Sequence, residues 1–219
     1  MNTGKKLLLG SLLAATATSV SMQAAADVSA NVGFASEYYY RGVLQKDSSA
    51  SAGLDFENGG FYLGTWAADV GDGLEVDVYG GYGIETEGGF SLGLGFTGYY
   101  YTGEFDDTYE ELNFSAGFGG LSLGYSVGEY DNFDGPTLDY DFTELTYEFE
   151  NGFYGTFGSF GKDFDGEYVE LGYGTEIGGF DVGIAAILSS DELSDEADSD
   201  GDPEESEAII FTIGKSFDL

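Results

Sequence analysis

Of 219 residues 41 are acidic and six basic, a formal charge of −35 at pH 7, and the chain has neither histidine nor cysteine. Binding to nucleic-acid phosphates needs Lys and Arg, so a nucleic-acid partner is excluded. The two missing residue types remove disulfides, thiolate and His-ligated metals, and the Ser-His and Cys-His nucleophile pairs, so no enzymatic activity is expected. Low hydrophobicity with high charge would signal disorder, but 18 Phe and 17 Tyr point to a folded chain.

In chain order, Lys5 and Lys6 precede the apolar run LLLGSLLAATATSV, and Ala24, Ala25 and Ala26 supply the small residues a signal peptidase accepts. Residues 1–26 therefore read as a Sec-type signal peptide, leaving 27–219 with four basic side chains against 41 acidic ones. Beyond it no stretch approaches the roughly 20 consecutive apolar residues of a spanning helix. The period instead is two. Leu74, Val76, Val78, Tyr82 and Ile84 alternate with Glu75, Asp77, Tyr79, Gly81 and Gly83; Phe90, Leu92, Leu94 and Phe96 alternate with Ser91, Gly93, Gly95 and Thr97. The same parity runs through 112–118, 121–128, 169–177 and 180–188. With the less regular runs 28–44, 50–56, 61–69, 140–149, 153–160 and 207–219, twelve strands are expected, each oily on one face and small or acidic on the other.

Tight turns follow every second strand at 57–60, 87–89, 119–120, 151–152 and 178–179, where Gly and Asn tolerate positive φ. Longer polar loops, among them TGEFDDT, EYDNFDGPTLD and SSDELSDEADSDGDPEE, are expected at the other end. An even strand count, segregated loop lengths and an apolar outer band together indicate an all-β, 12-stranded antiparallel transmembrane barrel of the outer-membrane type, with short periplasmic turns and acidic extracellular loops. Phe61, Phe90, Phe153 and Phe180 follow tight turns, while Tyr38–Tyr40, Tyr99–Tyr101, Tyr109, Tyr130, Tyr140 and Tyr168 crowd the long-loop end, the pattern of two interfacial belts. The terminal IGKSFDL resembles the C-terminal signal read by the barrel-assembly machinery, with Leu219 in place of the usual Phe.

SEYYYRGVLQ at 36–45, GGFYLGTWAADV at 59–70 and VDVYGGYG at 76–83 resemble the N-terminal signature of the TorF-like porins, a proteobacterial family also labelled Gcw_chp. That resemblance implies a Gram-negative outer-membrane barrel with a channel role and carries no substrate or catalytic residue.

Twelve strands lie between the filled eight-stranded barrel and the open porin. Inward glycines such as Gly81, Gly93, Gly117, Gly124 and Gly172 leave a hollow lumen, or else room for Tyr79, Tyr99 and other rings to seal it. The expected pore lining is Glu37, Tyr39, Arg41, Glu75, Asp77, Tyr79, Glu111, Glu144, Glu148 and Glu170. Carboxylates along a watery passage favour cations over anions, with Arg41 either narrowing the passage or paired to Glu37 and Asp77. A passive small-solute channel is therefore expected, and the alternative is a sealed barrel with a structural or adhesive role. The acidity also suits a saline habitat. Residues 196–207, EADSDGDPEESE, follow calcium-loop spacing with Asp198, Asp200 and Glu207 in register, although Glu196 and Pro203 depart from it; otherwise no cofactor is expected.

Overall fold

The computed structural model describes residues 27–219, so the signal-peptide assignment lies outside the described residues. The wall strands are β1 (Asp27–Ala35), β4 (Ser49–Asn58), β5 (Phe61–Gly71), β6 (Gly73–Glu85), β7 (Phe90–Tyr101), β8 (Tyr109–Phe118), β9 (Leu121–Tyr130), β10 (Leu138–Glu148), β11 (Phe153–Lys162), β12 (Glu167–Ile177), β13 (Phe180–Ser189) and β14 (Ser206–Asp218). Each pairs antiparallel with its neighbours, and β1 closes on β14 with Val32 opposite Lys215 and Phe34 opposite Ile213. Closure leaves no unpaired edge, the condition for a sheet to sit in hydrocarbon.

The alternating pattern sets which face is which. Leu92, Leu94 and Phe96 on β7, Leu112 and Phe114 on β8, and Ile209 and Phe211 on β14 are exposed on the outer surface. Their neighbours Thr97, Glu111 and Ile210 are buried inside. Phe61, Phe90, Phe153 and Phe180 all face outward near the tight turns, as the belt pattern requires.

The first expected strand, 28–44, is corrected. The wall strand ends at Ala35, which is already paired with Ser49 of β4. Ser36 marks the departure: its N–H donates to Phe211 O at 2.8 Å and its hydroxyl accepts the Phe211 N–H at 2.9 Å. Residues 36–48 then form a hairpin of β2 (Tyr38–Tyr40) and β3 (Val43–Lys46), which belongs to no wall pairing. The Tyr38 hydroxyl reaches Glu75 of β6 on one side and the Gly42 carbonyl meets the Ser189 hydroxyl of β13 on the other, so the hairpin crosses the lumen.

Two further expectations change. The connection between β5 and β6 is a single residue, Asp72, between Gly71 and Gly73 at φ 93° and 92°, not a long loop. The tyrosines of the long-loop end do not form a lipid-facing belt. Tyr38, Tyr99, Tyr130, Tyr140 and Tyr168 are buried, while Tyr100 is exposed outside. A tyrosine satisfies a membrane interface and a polar interior equally well, and parity along the strand decides between them.

Candidate functional site

The hairpin level of the lumen is a continuous network of tyrosines and carboxylates. Tyr38, 1% exposed, donates its hydroxyl to Glu75, also 1% exposed, and Tyr101 donates to the other Glu75 oxygen at 3.1 Å. Tyr40 donates to the Tyr99 hydroxyl at 2.5 Å, and Tyr99 donates to Glu111 Oε1 at 2.8 Å. Tyr140 donates to Glu111 Oε2 at 2.9 Å. At the hairpin tip Arg41 makes a two-pronged pair with Glu111, at 2.8 and 2.9 Å, and donates to Ser126 Oγ at 3.1 Å. Gly42 O accepts the Ser189 hydroxyl at 2.6 Å, and Gly42 lies against Tyr168 and Leu193. Buried charge of this kind is tolerable only when each carboxylate is met by donors.

Below the hairpin, toward the tight turns, the inner wall is small and acidic. Ser91, Gly93, Ser115, Gly117, Gly124 and Gly183 are half-exposed, and Ser122 and Glu148 are exposed. Asp55 accepts the Tyr79 hydroxyl at 2.5 Å and the Asn31 amide at 3.1 Å; Glu170 accepts from Tyr154 and Glu144 from Tyr168. Several inward glycines make room for these rings: a Cβ at Gly64 would overlap Tyr79, and one at Gly172 would overlap Tyr154. Gly124 by contrast has only Glu144 Cβ nearby, at 3.8 Å.

Of the expected lining residues, Glu75, Glu111, Asp77 and Arg41 gather at the hairpin level, and Glu144, Glu170, Tyr79 and Glu148 lie on the inner faces of the wall strands. Glu37 and Tyr39 are carried by the segment that leaves the wall. Of the two alternatives for Arg41, pairing to Glu37 and Asp77 is not seen; its ion pair is with Glu111, because the inward hairpin carries its tip across to β8. One Asp77 carboxylate oxygen is buried with no hydrogen-bond partner.

A family model described as a bacterial protein of unknown function (Gcw_chp) matches residues 19–203. The chain belongs to the Gcw_chp family. No curated protein matches it. Among solved structures, one from work on in-meso crystallisation of membrane proteins superposes with a TM-score of 0.58 at 8% identity, covering 88% of this chain and 84% of that one. That likeness is one of fold. OprD of Pseudomonas aeruginosa superposes at TM-score 0.44 and 12% identity over 88% of this chain and 66% of its own. OpdK from the same organism, solved with vanillate, gives 0.39 and 16% over 80% and 58%. This Gcw_chp barrel thus spans about three-fifths of OpdK's length.

The acidic loop of this Gcw_chp chain is arranged around backbone N–H groups. Among the described residues no group of three or more His, Cys, Asp or Glu side chains is placed to hold one, so Asp198, Asp200 and Glu207 are not brought together. Asp198 Oδ1 instead accepts the backbone N–H groups of Asp202 at 3.0 Å and Asp200 at 2.8 Å, and such bonds hold its carboxyl below the usual range. Glu207 lies on β14. In this structure Asp198 closes a turn onto the backbone of Asp200 and Asp202.

The residues that sequence reasoning missed are Tyr38, Tyr40, Tyr140, Ser126, Asp55 and Phe142, whose ring lies 4.3 Å from the Arg41 guanidinium carbon. For Tyr99 the signal was present, because it shares parity with Gly93, Gly95 and Thr97 on the small face of β7. For Tyr38 and Tyr40 no local pattern distinguishes a lumen hairpin from a continued strand.

Proposed function

We propose that this chain is exported by its N-terminal signal, inserted by the barrel-assembly machinery into the Gram-negative outer membrane, and acts there as a narrow, passive channel for small solutes. The observation that carries it is the change of lining along the lumen. Small and acidic inner residues, several of them solvent-accessible, lead up to a hairpin held by side-chain bonds instead of wall pairing. A plug attached this way sets the width of the passage and can shift without opening the wall.

Cation preference follows from the charges. Among the described residues Arg41 is the only basic side chain bonded within the network, and its ion pair is with Glu111, which leaves Asp55, Glu75, Asp77, Glu144, Glu148 and Glu170 without an ion pair there. Carboxylates beside a water path attract cations, and low-dielectric walls strengthen their field. Glu37, Tyr39 and Tyr79 line the approaches in this proposal.

Purified protein in planar bilayers is expected to give small, cation-preferring conductance steps. Anion selectivity, or silence both in the intact chain and after hairpin removal, contradicts the proposal. A sealed barrel with its acidic loops serving surface contact is the second reading, favoured by the burial of Glu75, Glu111, Tyr38 and Tyr140 at the hairpin level. Solute-swelling of proteoliposomes separates the two.

A further inference from the structure

Arg41 is an unexpected residue for the turn it occupies. Arg41 and Gly42 have φ of 48° and 87°, the left-handed pair that a two-residue hairpin requires. Asn, Asp or Gly suit the first position, and a long side chain there is disfavoured by its Cβ. Turn chemistry does not account for the residue, so the side chain must.

Its guanidinium is gripped by the wall. Glu111 takes both terminal nitrogens, Ser126 Oγ takes one of them, and the ring of Phe142 lies 4.3 Å from the guanidinium carbon. Glu111 is itself held from behind by the hydroxyls of Tyr99 and Tyr140, and Ser126 donates its own proton to Asn113 Oδ1 at 2.7 Å. A buried carboxylate presenting both oxygens, a hydroxyl acceptor and an aromatic face are thus set by β7 to β10, and the only hairpin side chain bonded to their supports besides Arg41 is Tyr40, which meets the Tyr99 hydroxyl. That set matches a planar guanidinium better than a compact ammonium, which cannot fill both carboxylate oxygens with in-plane donors, and the ring face adds a cation–π contact.

We propose that the β7–β10 wall carries a guanidinium-binding site which Arg41 occupies as a tethered internal ligand, and that a small solute bearing a guanidinium competes for it and loosens the hairpin. The binding half of this stands on geometry alone; the loosening half rests on the channel proposal above.

The test uses the full barrel in detergent carrying Arg41→Ala, titrated with methylguanidinium, methylammonium and urea while thermal unfolding is followed. Methylguanidinium is expected to raise the melting temperature saturably, at concentrations about tenfold below those methylammonium needs. Urea at the same concentrations is expected to give no rise, and adding Glu111→Gln to abolish the response. Equal responses to both cations, or a methylguanidinium response that survives Glu111→Gln, overturn the proposal. If Arg41→Ala does not assemble alone, refolding with methylguanidinium must restore it, and failure to do so also overturns the site. Bilayer recording keeps the two halves apart. Saturable binding with no current in any variant upholds the site and defeats the channel, whereas currents indifferent to methylguanidinium in a variant that binds it defeat the loosening.

Discussion

The two halves of the lumen are built from one repeating strand pattern yet end up unlike. At the hairpin level Glu111 on β8 and Ser126 on β9 are buried, 5% and 6% exposed, and both are hydrogen-bonded to Arg41. Two residues toward the tight turns Gly124 has space beside it, and four residues away Ser122 on β9 is exposed. The strand period is the same in both halves, but the inward residues are not: Glu75, Tyr99, Glu111 and Tyr140 at the hairpin level give way to Ser91, Gly93, Ser115 and Gly117 toward the tight turns. Onto the first set 13 residues, 36–48, leave the wall and bring Tyr38, Tyr40 and Arg41. A barrel interior is therefore defined by what crosses it as much as by its wall.

The largest change is expected from removing that crossing. Ala35 and Ser49 already face each other across β1 and β4, so a short Gly-Ser turn in place of residues 37–47 leaves the wall register intact. Single-channel recording should show conductance raised severalfold; an unchanged value would erase the functional contrast between the halves. Next is Arg41→Ala, which strands Glu111 as a buried carboxylate without its cation. The loss on denaturant unfolding is expected at about 3–5 kcal/mol, and a loss near zero would mean that water already reaches the site.

A pair of glycines on one strand sharpens the comparison further. A Cβ on Gly128 would lie 2.6 Å from the Tyr140 hydroxyl and 2.8 Å from Glu110 O, whereas one on Gly124 meets nothing closer than 3.8 Å. Gly128→Ala is expected to destabilise by about 1–3 kcal/mol through overpacking. Gly124→Ala should change unfolding by no more than about 0.5 kcal/mol. Similar values for the two would contradict the assignment of a filled half and an open half. The smallest effect on stability belongs to Glu148→Gln. Exposed and unpaired with any base, it should lower cation preference in reversal-potential measurements while leaving unfolding within about 0.5 kcal/mol of the parent.

Much of the wall was legible in the sequence because period two and turn glycines are local properties. The ends of β9 and β13 fall within two residues of where alternation places them, and the outward phenylalanines follow from position after a turn. The hairpin was not legible. SEYYYRGVLQ continues the strand-like pattern of β1, and Arg-Gly is no ordinary signal for a two-residue turn. What sends it inward is the pairing of Ala35 with Ser49, a contact between strands that no local periodicity encodes. The partner of Arg41 was lost for the same reason: a side chain judged by neighbours on its own strand points to Glu37, while the folded hairpin carries it to Glu111. Misplacement of the tyrosines had a chemical cause, since ring and hydroxyl suit an interface and a network alike.

The chain contains no cysteine, so single thiols can report the lumen without background. Ser122→Cys and Ser126→Cys place them on the inner face of the same strand, one below the hairpin and one beside Arg41. In the intact barrel a charged, water-soluble thiol reagent should modify the first rapidly and leave the second protected, and removing residues 37–47 should make both react. Equal modification of the two in the intact barrel would show that the hairpin does not close the lumen.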